Sequence, residues 1–298
     1  MILQDIVERQ AIAKGWSCDE KFCVTVKDGT KYLLRITPPD KSGQRELLVG
    51  MLKKVERLGI PTCRLVEHGV CDSGVYALYT WIDGHDADEV IPQLTPIQQY
   101  STGLKAGEIL KRIHLIPAPK QTEDWHLRFN RKTDIKIFKY KQCGIRFEGD
   151  GKVLEYLQCS RDVFKNRPQT FQHGDYHIGN MMISDVGLII IDFDRFDFGD
   201  PWEEFNRIVW CAQSAPVFAA GMVDGYFDLK PPEEFWKCLA FYIGSNTLSS
   251  VYWAIDFGRD ELDVMLRQAQ DVLSWYDGFN AIIPSWYADA QKIRRVIL

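Results

Sequence analysis

The period of apolar and polar positions changes about a quarter of the way along the chain. Residues 22–26 and 32–36 read as strands, and the Lys27-Asp28-Gly29-Thr30 joint carries an Asp-Gly pair that signals a hairpin. Ahead of them, residues 1–16 intersperse Asp5, Glu8, Arg9 and Lys14 among apolar positions and predict an amphipathic opening helix. Leu47, Leu48, Met51, Leu52, Val55 and Leu58 then recur at helical spacing, and Gly59 with Pro61 ends that helix. Residues 63–68 and 75–81 predict two further strands. Beyond Gly84 the pattern is mostly helical, over 95–116, 131–166, 202–211, 233–248 and 260–276. One hairpin interrupts it. Residues 180–183 and 188–191 are apolar runs joined by Ser184-Asp185-Val186-Gly187. A strand-rich first part and a helix-rich remainder predict an α+β fold, divided into residues 1–83 and 84–298.

Composition narrows this picture. A chain of 298 residues, 46% hydrophobic and 26% charged, is long enough for two lobes with a substantial core. No apolar run approaches a membrane span, so no membrane partner is expected. Eight cysteines without a CxxC pair suggest a reducing cytoplasm. A net charge of −5 with no evident basic cluster argues against nucleic acid. Residues 1–83 balance 12 Lys/Arg against 11 Asp/Glu, whereas residues 200–298 carry 8 against 14. That acidic excess is either a set of solvated helix faces or a cleft that steers a cationic ligand.

The chemistry concentrates at the ends of the 180–191 hairpin. Asp175 precedes it, Asn180 opens it and Asp192 closes it. Phosphoryl transfer needs a carboxylate near the attacking hydroxyl and hard oxygen ligands for Mg²⁺. Asp175 and Asn180 have the D-x-x-x-x-N spacing of a kinase catalytic loop, and Asp192-Phe193-Asp194 falls where a kinase carries D-F-G. A transition-metal site at His173-x-Asp175-x-His177 is disfavoured, because Gly174 and Gly179 imply a tight loop and no second His cluster exists. No G-x-S-x-G or cysteine nucleophile context supports a hydrolase.

His173-Gly174-Asp175-Tyr176-His177-Ile178-Gly179-Asn180, Ile191-Asp192-Phe193-Asp194 and Gly199-Asp200-Pro201 together resemble the aminoglycoside phosphotransferase and choline kinase superfamily. The resemblance implies a protein-kinase-like two-lobe fold: a small N-terminal antiparallel sheet with one helix, and a larger, mostly helical C-terminal lobe. It implies a small-molecule kinase using Mg²⁺ with ATP or GTP. Asp175 would be the catalytic base, with Asn180 and Asp192 as metal ligands. Arg35, with Lys31 as the alternative, would be the phosphate-binding cation, and Glu46 its ion-pair partner. Thr80, Trp81 and Ile82 would form the hinge that meets the purine through backbone groups. Asp194 would assist the metal or cap a turn, while His173, His114 and Asp200 would brace the structure. The family's aspartate four residues past the Gly-Asp-Pro aspartate is here Glu204. Residues 15–21 stand where a Gly-rich phosphate loop belongs, but lack its pattern.

For the acceptor, the acidic last third and Trp202, Trp210, Trp236, Trp253, Trp275 and Trp286 suggest a cationic alcohol. An aminoglycoside-like molecule leads, with choline, ethanolamine or a sugar as alternatives. The rival class is a kinase-like pseudoenzyme acting as a binding module, against which Asp175, Asn180 and Asp192 are all present. A protein kinase is disfavoured, since A-P-E is absent.

Overall fold

A computed structural model describes residues 2–13 and 19–297. In chain order its elements open with β1 (Ile6–Ala11), β2 (Glu20–Val26), β3 (Lys31–Thr37), α1 (Ser42–Arg57), β4 (Leu65–Cys71), β5 (Gly74–Thr80) and β6 (Gly84–Asp86). Next come α2 (Ala87–Val90), α3 (Pro96–Ile113), α4 (Trp125–Gln142), α5 (Asp150–Cys159) and β7 (Thr170–Gln172). The hairpin β8 (Met181–Ser184) and β9 (Gly187–Ile190) precedes β10 (Asp197–Gly199). Five helices close the chain: α6 (Ile208–Ser214), α7 (Pro216–Tyr226), α8 (Glu233–Ala254), α9 (Arg259–Trp275) and α10 (Ser285–Ile297). Among the described residues no helix is long and apolar enough to cross a membrane.

The chain divides into two compact units. One comprises Met1–Ala87 with Asn180–Phe196, and the other Asp88–Gly179 with Asp197–Leu298. The 180–191 hairpin thus groups with the first unit, although it lies within the second half of the sequence.

The first unit is built on an antiparallel sheet in the order β1-β2-β3-β5-β4. Alternation along β3 decides which side chains face where. Leu34 and Ile36 join Val24, Tyr76 and Leu78 in a buried apolar cluster. Arg35 projects to the opposite face, beside Ala77, which is fully buried. The opening segment corrects the helix expected there: a 3-10 turn (Ile2–Asp5) leads into β1, which pairs with β2. Ile2, Leu3 and Ile6 pack on the cluster, and that tertiary burial overrides the local helical spacing. Residues 14–18, which include most of the expected phosphate loop, lie outside the described residues.

The second unit is helical around short β7 and β10. Its tightest packing is between α3 and α7. Gly103 and Gly107 on α3 face Gly221 and Gly225 on α7, and a methyl group on Gly107 would stand 2.1 Å from the Met222 carbonyl oxygen. Such contact lets two backbones approach more closely than any side chain would permit. It also fixes α3, which carries one of the anchors of the loop containing Asp175.

Candidate active site

In the second unit the segment 173–179 is pinned at successive points. Tyr176 is buried and its hydroxyl donates to the Ala106 carbonyl of α3 at 2.7 Å. The Ile178 N–H donates to Cys211 Sγ on α6 at 3.3 Å. Gly174 takes φ +86°, a left-handed conformation that glycine adopts without the Cβ penalty. The buried Glu204 accepts the N–H groups of His173 at 2.6 Å and Gly174 at 2.9 Å, one on each oxygen. Burial pushes the Glu204 carboxyl up to about 7, against the opposing pull of His173 and the two N–H donors. Beside it His114 is buried, and burial lowers it to about 3, so it stays neutral. Glu204 therefore braces the loop directly.

This bracing leaves Asp175 partly open, with 18% of its side chain exposed. The Asp175 N–H donates to His173 Nδ1 at 3.2 Å, and the Gly179 N–H donates to His177 Nδ1 at 3.1 Å. With Nδ1 accepting, neutral His177 carries its proton on Nε2, which lies 3.7 Å from Asp175 Oδ1. Arg207 Nε lies 3.2 Å from the same oxygen. Asp200 is fully buried and takes Arg167 on both oxygens at 2.7 and 2.8 Å, along with the Tyr242 hydroxyl at 2.7 Å.

In the first unit, the hairpin register sets Met181 opposite Ile190, and the Ile191 N–H donates to the Asn180 carbonyl at 3.0 Å. Asn180 is therefore across the ladder from Ile191, next to Asp192. Asp192 has φ +65°, so the chain turns sharply as it leaves β9. Arg35 meets three carboxylates: Asp192 at 3.3 Å, Asp19 at 2.9 Å, and Asp194. Burial pushes the Asp192 carboxyl up, but Arg35 and then Lys21 outweigh it and hold it below its ordinary value.

Glu46 does not pair with Arg35; it is exposed on α1. The inward residue is Arg45, 5% exposed, which reaches Asp194 at 3.0 Å, the Thr37 hydroxyl at 2.9 Å, and Asp19. Helix phase explains the exchange. Positions 45, 48, 49, 52 and 55 form the buried stripe, and Glu46 is one residue, about 100° of helix turn, away from it. That phase is visible in the sequence, so Arg45 could have been found from it. At the hinge, the Thr80 N–H donates to the Arg64 carbonyl at 2.9 Å and its hydroxyl accepts the Arg64 N–H at 3.0 Å. Trp81 and Ile82 follow in irregular backbone and form no backbone hydrogen bond among the described residues.

The donor set suits Mg²⁺. This ion takes hard oxygen ligands, commonly one or two carboxylates completed by phosphate oxygens and water. The Asn180 amide oxygen and the Asp192 carboxylate, the latter 34% exposed, are of that kind. Among the described residues no group of three or more His, Cys, Asp or Glu could hold a metal by itself.

Most acids of the last third are either exposed or buried with partners. Asp228, Glu233, Glu234, Asp256, Asp260, Asp277 and Asp289 are exposed, whereas Asp200, Glu204 and Asp224 are buried with hydrogen-bond partners. Trp236 and Trp286 are core, and the Trp202 ring is already covered by the Arg167 guanidinium, 3.3 Å from its centroid.

A family model described as the phosphotransferase enzyme family matches residues 8–236. A comparison with curated proteins finds no match. Among solved structures, a thermostable mutant of aminoglycoside phosphotransferase APH(4)-Ia, in complex with ADP and hygromycin B, aligns with TM-score 0.65 and 16% identity, covering 91% of this chain and 96% of that one. The GDP complex of a mutant aminoglycoside 2'-phosphotransferase-IIIa gives TM-score 0.67 at 13% identity, over 93% and 94% of the two chains. A protein assigned as a fructosamine-3-kinase from Haemophilus somnus 129PT gives 0.64 at 12% identity, over 90% and 92%. At these identities the likeness establishes the fold, the two-lobe kinase-like α+β architecture expected from the sequence.

Proposed function

The chain belongs to the phosphotransferase enzyme family, and on that premise we propose that it transfers the γ-phosphate of ATP or GTP to a hydroxyl of a small molecule. The observation that carries this reading is the loop at Asp175. Buried acid, backbone and sulfur contacts hold the loop in place, yet its aspartate stays partly exposed. A carboxylate held in that way can accept a hydroxyl proton and align the oxygen for in-line attack. Asn180 and Asp192 would hold Mg²⁺, which, when bound, neutralises charge on the phosphates. Arg35 would neutralise nucleotide charge from β3, and the backbone of Trp81 and Ile82 would meet the purine. The ADP and GDP complexes among the similar structures support a nucleotide donor, and hygromycin B in one of them supports a small acceptor.

A panel of small alcohols, incubated with Mg-ATP or Mg-GTP and followed by mass spectrometry, tests the reading. Phosphorylated acceptor is expected from the parent protein. A binding module would return every alcohol unchanged with either nucleotide.

A further inference from the structure

Arg207, the cation beside Asp175, and the basic residues of α4 are left unexplained by this reading. Helix α4 contains Arg128, Arg131, Lys132, Lys136, Lys139 and Lys141 against one acid, Asp134. Of these, Arg128 pairs with Asp197, and Arg131 with Glu123 at 2.7 Å. Lys132 reaches Glu203 at 3.6 Å, and both Lys132 and Lys136 lie over the Phe129 ring, at 5.6 and 6.0 Å from its centroid. Arg207, four residues beyond Glu203, is the residue beside Asp175.

Two of these cations are under-used. Lys136 is partly buried and has no hydrogen bond or ion pair among the described residues. Arg207 Nε is buried without a well-aligned hydrogen bond, although it lies 3.2 Å from Asp175 Oδ1, and its two terminal nitrogens have no partner among the described residues. A guanidinium fork with open donors matches a carboxylate or phosphate group geometrically, and an ammonium nearby adds a point charge. A polycationic acceptor would instead bring like charges together at this place.

We propose that the acceptor carries an anionic group, a carboxylate or a phosphate ester, that seats on Arg207 and Lys136 while its hydroxyl meets Asp175. This rests on the reading of Asp175 as the base, and it replaces the cationic alcohol suggested by composition. Burial, then Lys132, press Lys136 down to about 7, Glu203 opposes them, and Arg207 adds to the depression. An arriving anion reverses that balance, so its binding near neutral pH takes up a proton at Lys136.

The test is calorimetry on the full chain without nucleotide, using D-glycerate, glycerol phosphate, glycerol and choline, with inorganic sulfate as the minimal anion. Anionic probes are expected to bind more tightly than glycerol and choline, and glycerate against glycerol phosphate separates carboxylate from phosphate recognition. Arg207→Gln and Lys136→Gln should each weaken anion binding about ten- to a hundredfold, the range for a lost charged hydrogen bond. Lys141→Gln, an exposed change on the same helix, should not. Buffer-dependent heats should show proton uptake in the parent and none in Lys136→Gln. The proposal is overturned if no anionic probe binds, if glycerol or choline binds better, or if Arg207→Gln and Lys136→Gln leave anion affinity unchanged. Weakened Mg-ATP binding in these variants with unchanged anion affinity overturns it too, by assigning the cations to the nucleotide. Anion binding without phosphorylation of any acceptor would refute the kinase reading and leave the anion site standing. Phosphorylation confined to neutral or cationic alcohols would do the reverse.

Discussion

The Arg35 guanidinium lies 3.3 Å from Asp192 Oδ1, so the carboxylate assigned to the metal is ion-paired to the cation assigned to the nucleotide phosphates. Both assignments can hold only if Mg-nucleotide exchanges that pair for metal–oxygen and guanidinium–phosphate contacts. Asp192→Ala is therefore expected to abolish turnover and to weaken Mg-nucleotide binding, with circular dichroism unchanged. Asp19 and Asp194 still neutralise Arg35 in that variant, which is why the fold should survive. Unchanged Mg-nucleotide affinity by calorimetry would remove Asp192 from the metal site.

Glu204 makes a second prediction through its raised pKa. A carboxyl whose folded pKa, about 7, exceeds its ordinary 4.5 binds more protons in the folded state across that window. Stability from this group therefore falls as pH rises from about 4.5 to about 7 and is level above. His114, depressed from 6.5 to about 3, acts in the opposite sense and loses stability as pH falls. The Glu204 contribution is accordingly read as a difference. Between pH 4.5 and 7, denaturant titrations of the parent should decline relative to Glu204→Gln. The variant also turns an amide N–H₂ toward one of the two loop N–H donors, which should cost about 1–3 kcal/mol and lower kcat.

How much of this was legible in the sequence follows from the range of the interactions involved. The β2–β3 joint and the 180–191 hairpin are local patterns, and each forms where its residues place it. The opening segment misleads because its spacing fits a helix, while its burial is decided by β2 and the apolar cluster. Glu46 and Arg45 show a finer limit. Charge type favours a glutamate partner for Arg35, but helix phase turns the arginine inward, and three aspartates at positions 19, 192 and 194 supply the negative charge. Arg207 and Lys136 gave no motif at all. Arg207 follows β10 and meets Asp175 only through tertiary packing, and Lys136 lies on α4, distant in the sequence.

The α3–α7 contact predicts a stability effect far from the chemistry. In Gly107→Ala the new methyl would stand 2.1 Å from the Met222 carbonyl oxygen, and backbone cannot move aside as a flexible side chain can. The helices must separate, at a cost of about 1–3 kcal/mol for overpacking, less the small helix-propensity gain of alanine. The Tyr176 anchor on Ala106 lies one residue away, so kcat should fall as well. A melting temperature equal to the parent's would show that α3 and α7 are less tightly opposed than this.

Asp175 supplies the last prediction, which separates an enzyme from a binding module. Asp175→Asn keeps the side chain's size but removes its charge and its capacity to take a proton. General-base catalysis commonly contributes about 10²–10⁴-fold, and kcat should fall by that much. The loop should stay in place, because its anchors are the N–H groups of His173, Gly174 and Ile178 and the Tyr176 hydroxyl, none of which uses the Asp175 carboxylate. Mg-nucleotide affinity should be little changed, since the proposed nucleotide contacts lie on other residues. The variant also frees Arg207 from its carboxylate neighbour, so an anionic acceptor should bind at least as tightly as to the parent while reacting more slowly. Steady-state kinetics with the best acceptor of the panel would show this as a loss confined to kcat. Equal turnover by the two proteins would exclude Asp175 as the base.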